Sequence, residues 1–364
     1  MDLKQSRSRP PLSIIAEIGS AHGGDLTKAK ELISSAKEAG ADIAKFQIIY
    51  ANEIVSQKAG VIPLCGKSYS IYNSFKAVQK DRDFFCKIQE ECEKNKIEFF
   101  ATVFGLKSLQ CYYQLPTVPK KVKIASPEIN HFPLFASLNE LPLLVYLSSG
   151  ASTLKDIKSA LSYLKHPQAL FHCVTQYPTD PKYCNLKVIR RLKKEFDLEI
   201  GFSDHTKEVY DAALVASYYG ATIFEKHFTL SNKDEGLDDS FALTPLKFSK
   251  MVSSLHQLNS LSEAEQKYQI IEMIGKKAFA LLSGSSKKKL TKPERAIYHT
   301  THRSFVATKP ICKGDIIDKN NASLLRAEVN KEGGIFSTPS RPTIYGAVAK
   351  KNYNEGDGIT KIKL

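Results

Sequence analysis

Residues 198–230, LEIGFSDHTKEVYDAALVASYYGATIFEKHFTL, contain two short apolar runs, LEIGFS and ATIFEKH, on either side of a helix-like stretch, DAALVASYYGA. Each run leads into a histidine, His205 and His227. Read as consecutive parallel strands joined by a crossover helix, the two runs deliver their imidazoles side by side at the carboxyl ends, where barrel enzymes build their active sites. Two converging imidazoles with carboxylates nearby make a divalent-metal site. The alternative is that each is a hydrogen-bonded histidine closing its own strand.

Working outward, six more runs share this character: SIIAEI (13–18), DIAKFQI (42–48), IEFFAT (97–102), KVKIAS (121–126), PLLVYLS (142–148) and ALFHCV (169–174). Near-continuous apolar strands imply a parallel sheet buried on both faces, and eight of them alternating with helical stretches predict a (β/α)8 TIM barrel. In TKAKELISSAKEAGA, Thr27 is placed as the helix cap and Gly40 as its end. The segment from Tyr50 to Lys80 is too long for a simple loop and predicts an excursion over the barrel mouth. Near Ser283 the composition changes to GSSKKKLTKPER, which reads as a linker. Beyond it, short β-type runs separated by KGD and EGD turns predict a small all-β module. The expected organisation is a barrel over 1–275, a linker over 276–300 and the β module over 301–364.

A chain of 364 residues with 42% hydrophobic content can bury the core of one large domain and a small second one. Its formal charge of +14, from 52 Lys and Arg against 38 Asp and Glu, favours anionic partners without choosing among them. The sequence has no zinc finger, basic heptad or aromatic RNA-binding motif, so nucleic acid is not expected. Seven cysteines, an odd number with no CxxC pair, point to reduced thiols in a cytoplasmic protein. The N-terminal MDLKQSRSRPP is polar, the LSIIA after it is too short for a signal core, and no segment reaches membrane length.

Reactive side chains collect where the predicted strands end. Glu17 closes the first, Lys45 and Gln47 the second, Thr102 the third, and Lys123 with Ser126 the fourth. Ser148 follows the fifth, Thr175 and Tyr177 the sixth, Ser203 and His205 the seventh, and His227 the eighth. Lysines suit a phosphate or carboxylate as point charges, and hydroxyls complete its hydrogen bonds. Each lysine, taken alone, has the alternative of a snorkelling surface residue, although KFQ and KIAS set both inside apolar runs.

Several of these segments, IIAEIGSAHGGDLTKAKELISSAKEAGADIAKFQ (14–47), KIASPE (123–128), HCVTQYPTDPKYCNL (172–186), GFSDHT (201–206) and EKHFTL (225–230), resemble the motifs of the N-acetylneuraminate (sialic acid) synthase family, which includes legionaminic and pseudaminic acid synthases. RSFVATKPICKGDIID (303–318) resembles that family's C-terminal SAF, or antifreeze-like, domain. The resemblance implies condensation of phosphoenolpyruvate with an open-chain N-acetylated hexose, such as N-acetylmannosamine, to a nine-carbon 2-keto acid and phosphate. It assigns His205 and His227 to a divalent ion, Mn2+ or alternatively Mg2+ or Co2+. Lys45, Thr102, Lys123, Ser126, Ser148 and Ser203 fall to phosphoenolpyruvate, and Glu17 is the catalytic acid beside the metal. Gln47, Thr175, Tyr177, Asp238 and Arg326 fall to the sugar. Arg326, with Arg341 as a second candidate, would enter a partner subunit's site in a domain-swapped homodimer. The chain departs from the pattern at Ser20–Gly24, where SAHGG replaces NNHNG, and at GLDDSFAL (236–243), where Asp239 replaces a histidine and Phe241 is similar to the pseudaminic branch.

Overall fold

The computed structural model describes residues 10–64, 67–327 and 333–363. Eight strands run in chain order: β1 (Ser13–Gly19), β2 (Ile43–Ile48), β3 (Glu98–Val103), β4 (Lys121–Ile124), β5 (Leu144–Ser148), β6 (Pro167–His172), β7 (Glu199–Asp204) and β8 (Ile223–His227). Each pairs in parallel with its neighbours, and β8 returns to β1 to close the ring, so the expected barrel is formed. A closed ring leaves no unpaired strand edge.

The lower interior is filled by Ile15, Ile43, Phe100, Tyr146, Ala169, Phe171 and Ile223, a packed apolar layer. Higher on the same strands the register sets Glu17 beside both His227 and Lys45, Thr102 beside Gln47 and Lys123, and Ser203 beside Glu225. Side chains two residues apart on a strand share a face. The apolar floor and the charged layer above it are therefore successive turns of one alternation.

The helix after β1 spans Leu26–Glu38, and its cap is Asp25, which accepts from the amides of Thr27 and Lys28, rather than Thr27. A carboxylate with two amide partners caps better than a hydroxyl inside the first turn. Gly40, at φ +92°, turns the chain away from the helix. The excursion folds as helix Ala51–Ile54, a hairpin of Val61–Leu64 with Lys67–Ser70, and helix Ile71–Val78. The stretch read as a linker contains helices Lys276–Ser283 and Lys292–Thr301.

The C-terminal module pairs β9 (Arg303–Ala307) antiparallel with β10 (Ala322–Arg326) over a small core of Phe305, Ile311, Ile317, Leu324 and Ile359. Its KGD and EGD turns bend at Gly314 and Gly356, both at positive φ, with Asp315 and Asp357 accepting from Cys312 and Asn354 amides. The module sits on the barrel of its own chain. Arg303, fully buried, donates to the Phe104 carbonyl at 2.8 Å, to Glu128 at 2.9 Å and to the Glu53 carbonyl. Arg326 donates to the same Glu128 carboxylate at 2.9 Å. Arg326 thus stands beside the barrel mouth of its own chain. Its counter-charge, Glu128, belongs to the same chain.

Candidate active site at the carboxyl ends of the strands

Alternation on β8 turns Glu225 and His227 into the barrel and Lys226 outward, where Lys226 is buried against Asp204 at 2.8 Å. Glu225 is the hub of the interior layer. Its Oε2 lies 2.6 Å from Lys123 Nζ and 3.7 Å from Lys45 Nζ, and its Oε1 accepts from Ser203 Oγ at 2.9 Å. Lys45 Nζ also contacts Glu17 Oε2 at 2.6 Å and donates to Thr102 Oγ1 at 3.0 Å. Gln47 donates to the other oxygen of Glu17 at 2.7 Å.

Two buried lysines and two buried glutamates so form one web, in which each charge is paired. Burial opposes charge on Lys45, Lys123 and Glu225. For Lys45 the two carboxylates outweigh it and raise the ammonium above its usual value. For Lys123 burial prevails over Glu225, and its neighbour Lys45 adds to the downward push. Burial would lift the Glu225 carboxyl, but the two lysines hold it well below the ordinary range. The Lys123 ammonium rests 3.8 Å from the centre of the Phe171 ring, on the apolar floor.

Beside this web stand the imidazoles. The His205 and His227 ring centres are 5.7 Å apart. His205 Nδ1 lies 2.8 Å from the Val174 carbonyl, which can only accept, so Nδ1 carries the proton and Nε2 the lone pair. Burial, followed by the proximity of His227, pushes His205 down to about 3, so the ring is neutral. His227 Nδ1 lies 3.5 Å from Asp238 Oδ2. Both rings therefore point Nδ1 at oxygen, the outer-shell arrangement that leaves Nε2 for an ion. Among the described residues no group of three or more His, Cys, Asp or Glu makes a complete cage. The chain offers two imidazole nitrogens here, donors of the kind a divalent cation accepts.

Ser126 Oγ accepts from the Gly150 amide at 2.8 Å and touches Cys173 Sγ at 3.2 Å. A Cβ on Gly150 would fall 2.3 Å from Thr175 Oγ1 and 2.9 Å from Ser126 Oγ, so glycine is required for these hydroxyls to converge. Ser148 is buried at the end of β5. Tyr177, 38% exposed, packs its ring 4.2 Å from that of His205, and Phe241 stands 5.4 Å from His227. Arg326 borders the mouth between Glu128 and the rings of Phe75 and Phe104. Arg341 is exposed in the Thr338–Arg341 turn.

The predicted side chains therefore fall into contiguous groups: the charge web with Glu17, Lys45, Gln47, Thr102, Lys123 and Ser203; the imidazole group with Tyr177 and Asp238; and hydroxyls around Gly150. Ser203 Oγ, 3.3 Å from His205 Nε2, joins the first two. Asp239 turns away, accepting from the Gly236 amide at 2.8 Å within its own loop. His22 is buried against Phe46 and Phe84 and accepts from the Gly24 amide at 2.9 Å. Sequence reasoning missed Glu225, although its place two residues before His227 on a strand marks it as inward-facing. It also missed Glu128 as the partner of both arginines, a contact no local pattern encodes.

The NeuB family model matches residues 32–267, more than half of the chain. The chain belongs to the NeuB family. It is 33% identical to the spore coat polysaccharide biosynthesis protein SpsE of Bacillus subtilis over 89% of this chain and 86% of that one. The crystal structure of SpsE superposes on this NeuB-family chain with a TM-score of 0.78, covering 99% and 97% of the two chains. N,N'-diacetyllegionaminic acid synthase of Campylobacter jejuni is 32% identical over 95% of this chain and 98% of its own. An N-acetylneuraminic acid synthetase from Leptospira borgpetersenii, solved with citrate, matches with a TM-score of 0.63 and 28% identity over 76% and 97%. No helix among the described residues is long and apolar enough to cross a membrane.

Proposed function

We propose that this chain is a nonulosonate synthase, condensing phosphoenolpyruvate with an open-chain N-acetylated hexose to give a nine-carbon 2-keto acid and phosphate. The observation that carries the reading is the buried web of Lys45, Lys123, Glu17 and Glu225 lying against the paired imidazoles of His205 and His227 in a NeuB-family barrel. Phosphoenolpyruvate, a compact anion, suits Lys45 and Lys123 as point charges, with Thr102, Ser126, Ser148 and Ser203 supplying hydrogen bonds. Binding it exchanges lysine–glutamate pairing for lysine–substrate pairing within the barrel.

C3 of the enolpyruvate forms the new bond to the aldehyde carbon while the carbonyl oxygen takes up a proton. A divalent ion held on His205 and His227, Mn2+ or alternatively Mg2+ or Co2+, supplies polarisation of that oxygen when bound. Water adds at C2, where positive character develops, and the tetrahedral adduct breaks its C2–O bond to release phosphate. Glu17, fixed by Gln47 and Lys45, is placed to take the proton of that water. Tyr177, Thr175, Asp238 and Arg326 line the side on which the sugar lies.

An N-acetylated sugar with a deoxy carbon, as in legionaminic or pseudaminic acid synthesis, is favoured over N-acetylmannosamine by the aromatic wall of Tyr177 and Phe241, 6.1 Å apart. The test is phosphate release from phosphoenolpyruvate with a panel of N-acetylated hexoses, with and without Mn2+ and chelator, followed by product mass. Release that needs a sugar, and a product heavier by the pyruvyl unit, supports the reading. Absence of release with every sugar and metal sinks it in favour of a non-catalytic sugar-binding relative.

A further inference from the structure

Glu294 lies outside the barrel strands, in the connecting helix Lys292–Thr301, yet its carboxylate is buried against the site. Its Oε2 accepts from Thr291, from the amide and the hydroxyl both at 2.9 Å, closing the helix cap. Its Oε1 does something a cap does not require: it accepts the amide N–H of Ala151 at 2.7 Å and of Thr175 at 3.1 Å. Ala151 belongs to the loop after Ser148 and holds φ +46°, a left-handed conformation that a non-glycine residue keeps only when its surroundings impose it. Thr175 follows Val174, whose carbonyl orients His205, and precedes Tyr177 by two residues.

Lys288, from the same connector, donates to the Ser149 carbonyl at 2.5 Å. Burial would lift the Glu294 carboxyl, but Lys288 and the amide donors hold it below its ordinary value, so it is the anion that the two loops face. A single carboxylate thereby ties the hydroxyl loop after β5 to the imidazole loop after β6.

We infer that Glu294 is a positioning residue of the active site, setting the anion-binding loop at Ser148–Ala151 and the Thr175–Tyr177 loop in mutual register from outside the barrel. The inference rests on the phosphoenolpyruvate reading for its consequence, and on geometry alone for the positioning. Thr291→Ala provides the comparison, since it removes a cap contact of the same carboxylate while leaving both loop amides bonded.

Phosphoenolpyruvate binding is measured by calorimetry on the full chain, with amide hydrogen exchange over 149–152 and 174–177. In Glu294→Ala, and in Glu294→Gln should the alanine variant not fold, affinity is expected to fall ten- to a hundredfold. Exchange in both loops should rise together. Thr291→Ala should keep affinity within about twofold and keep both loops protected, even where its melting temperature drops as far. Equal affinity and protection in all variants, or equal losses in Thr291→Ala, would overturn the inference. Should the parent chain bind no phosphoenolpyruvate, the functional reading falls while loop protection still decides whether Glu294 positions them.

Discussion

Glu225 shows what one residue decides here. It faces Lys123 and Lys45 at once, so its negative charge keeps both ammonium groups inside a layer that would otherwise discharge them. Glu225→Gln preserves the shape and removes the charge. Lys123, already pushed down by burial, should then lose its proton at lower pH. The alkaline limb of kcat/KM for phosphoenolpyruvate should move toward neutrality by about one unit or more. An unmoved limb would show that Glu225 does not govern the lysines. Lys123→Ala removes the charge itself and should raise the KM for phosphoenolpyruvate by about ten- to a hundredfold, read by steady-state phosphate release.

At the scale of elements, β7 holds its place because Gly201 leaves room for the Phe171 ring of β6. A Cβ there would lie 2.6 Å from two ring carbons, and the ring in turn supports Lys123. Gly201→Ala should therefore cost about 1–3 kcal/mol in thermal unfolding and weaken phosphoenolpyruvate binding together with stability. A variant as stable as the parent would mean that Phe171 can shift freely. The strands themselves were legible because barrel strands, buried on both faces, leave near-continuous apolar runs. The helix caps were less so: Thr27 and Asp25 are both good cap residues, and only the backbone path selects Asp25.

Across the whole molecule, the C-terminal module is fastened by Arg303, whose guanidinium is buried between Glu128 and backbone carbonyls of the barrel. Arg303→Met keeps the bulk but leaves that cradle unpaired. The expected cost is about 3 kcal/mol, with the connector opened to limited proteolysis; a variant as protease-resistant as the parent would contradict the fastening role. Besides His205 and His302, which burial also pushes down, three buried histidines shape the response to acid. Burial holds His22 and His172 at about 4 and His131 at about 3, against the usual 6.5, so all three stay neutral when folded. The unfolded chain takes up their protons below about pH 6.5, so the stability they contribute is complete above that pH and is lost on descending toward 4. Melting temperature should hold between pH 8 and 7 and decline from 6.5 downward. A flat profile to pH 4 would mean these rings are protonated in the fold.

The period of two and the apolar runs determined by themselves the barrel, its order, and the inward set Glu17, Lys45, Thr102, Lys123, Ser203, His205 and His227, because strand alternation and two-faced burial are local properties written residue by residue. Tertiary structure alone decided that Lys123 meets Glu225 across 102 residues, that Glu128 binds two arginines of the module, and that Glu294 reaches into the site from the connector. Those contacts join distant side chains to one another or to backbone amides, and they exist only once the ring has closed and brought both ends of each contact to the same place.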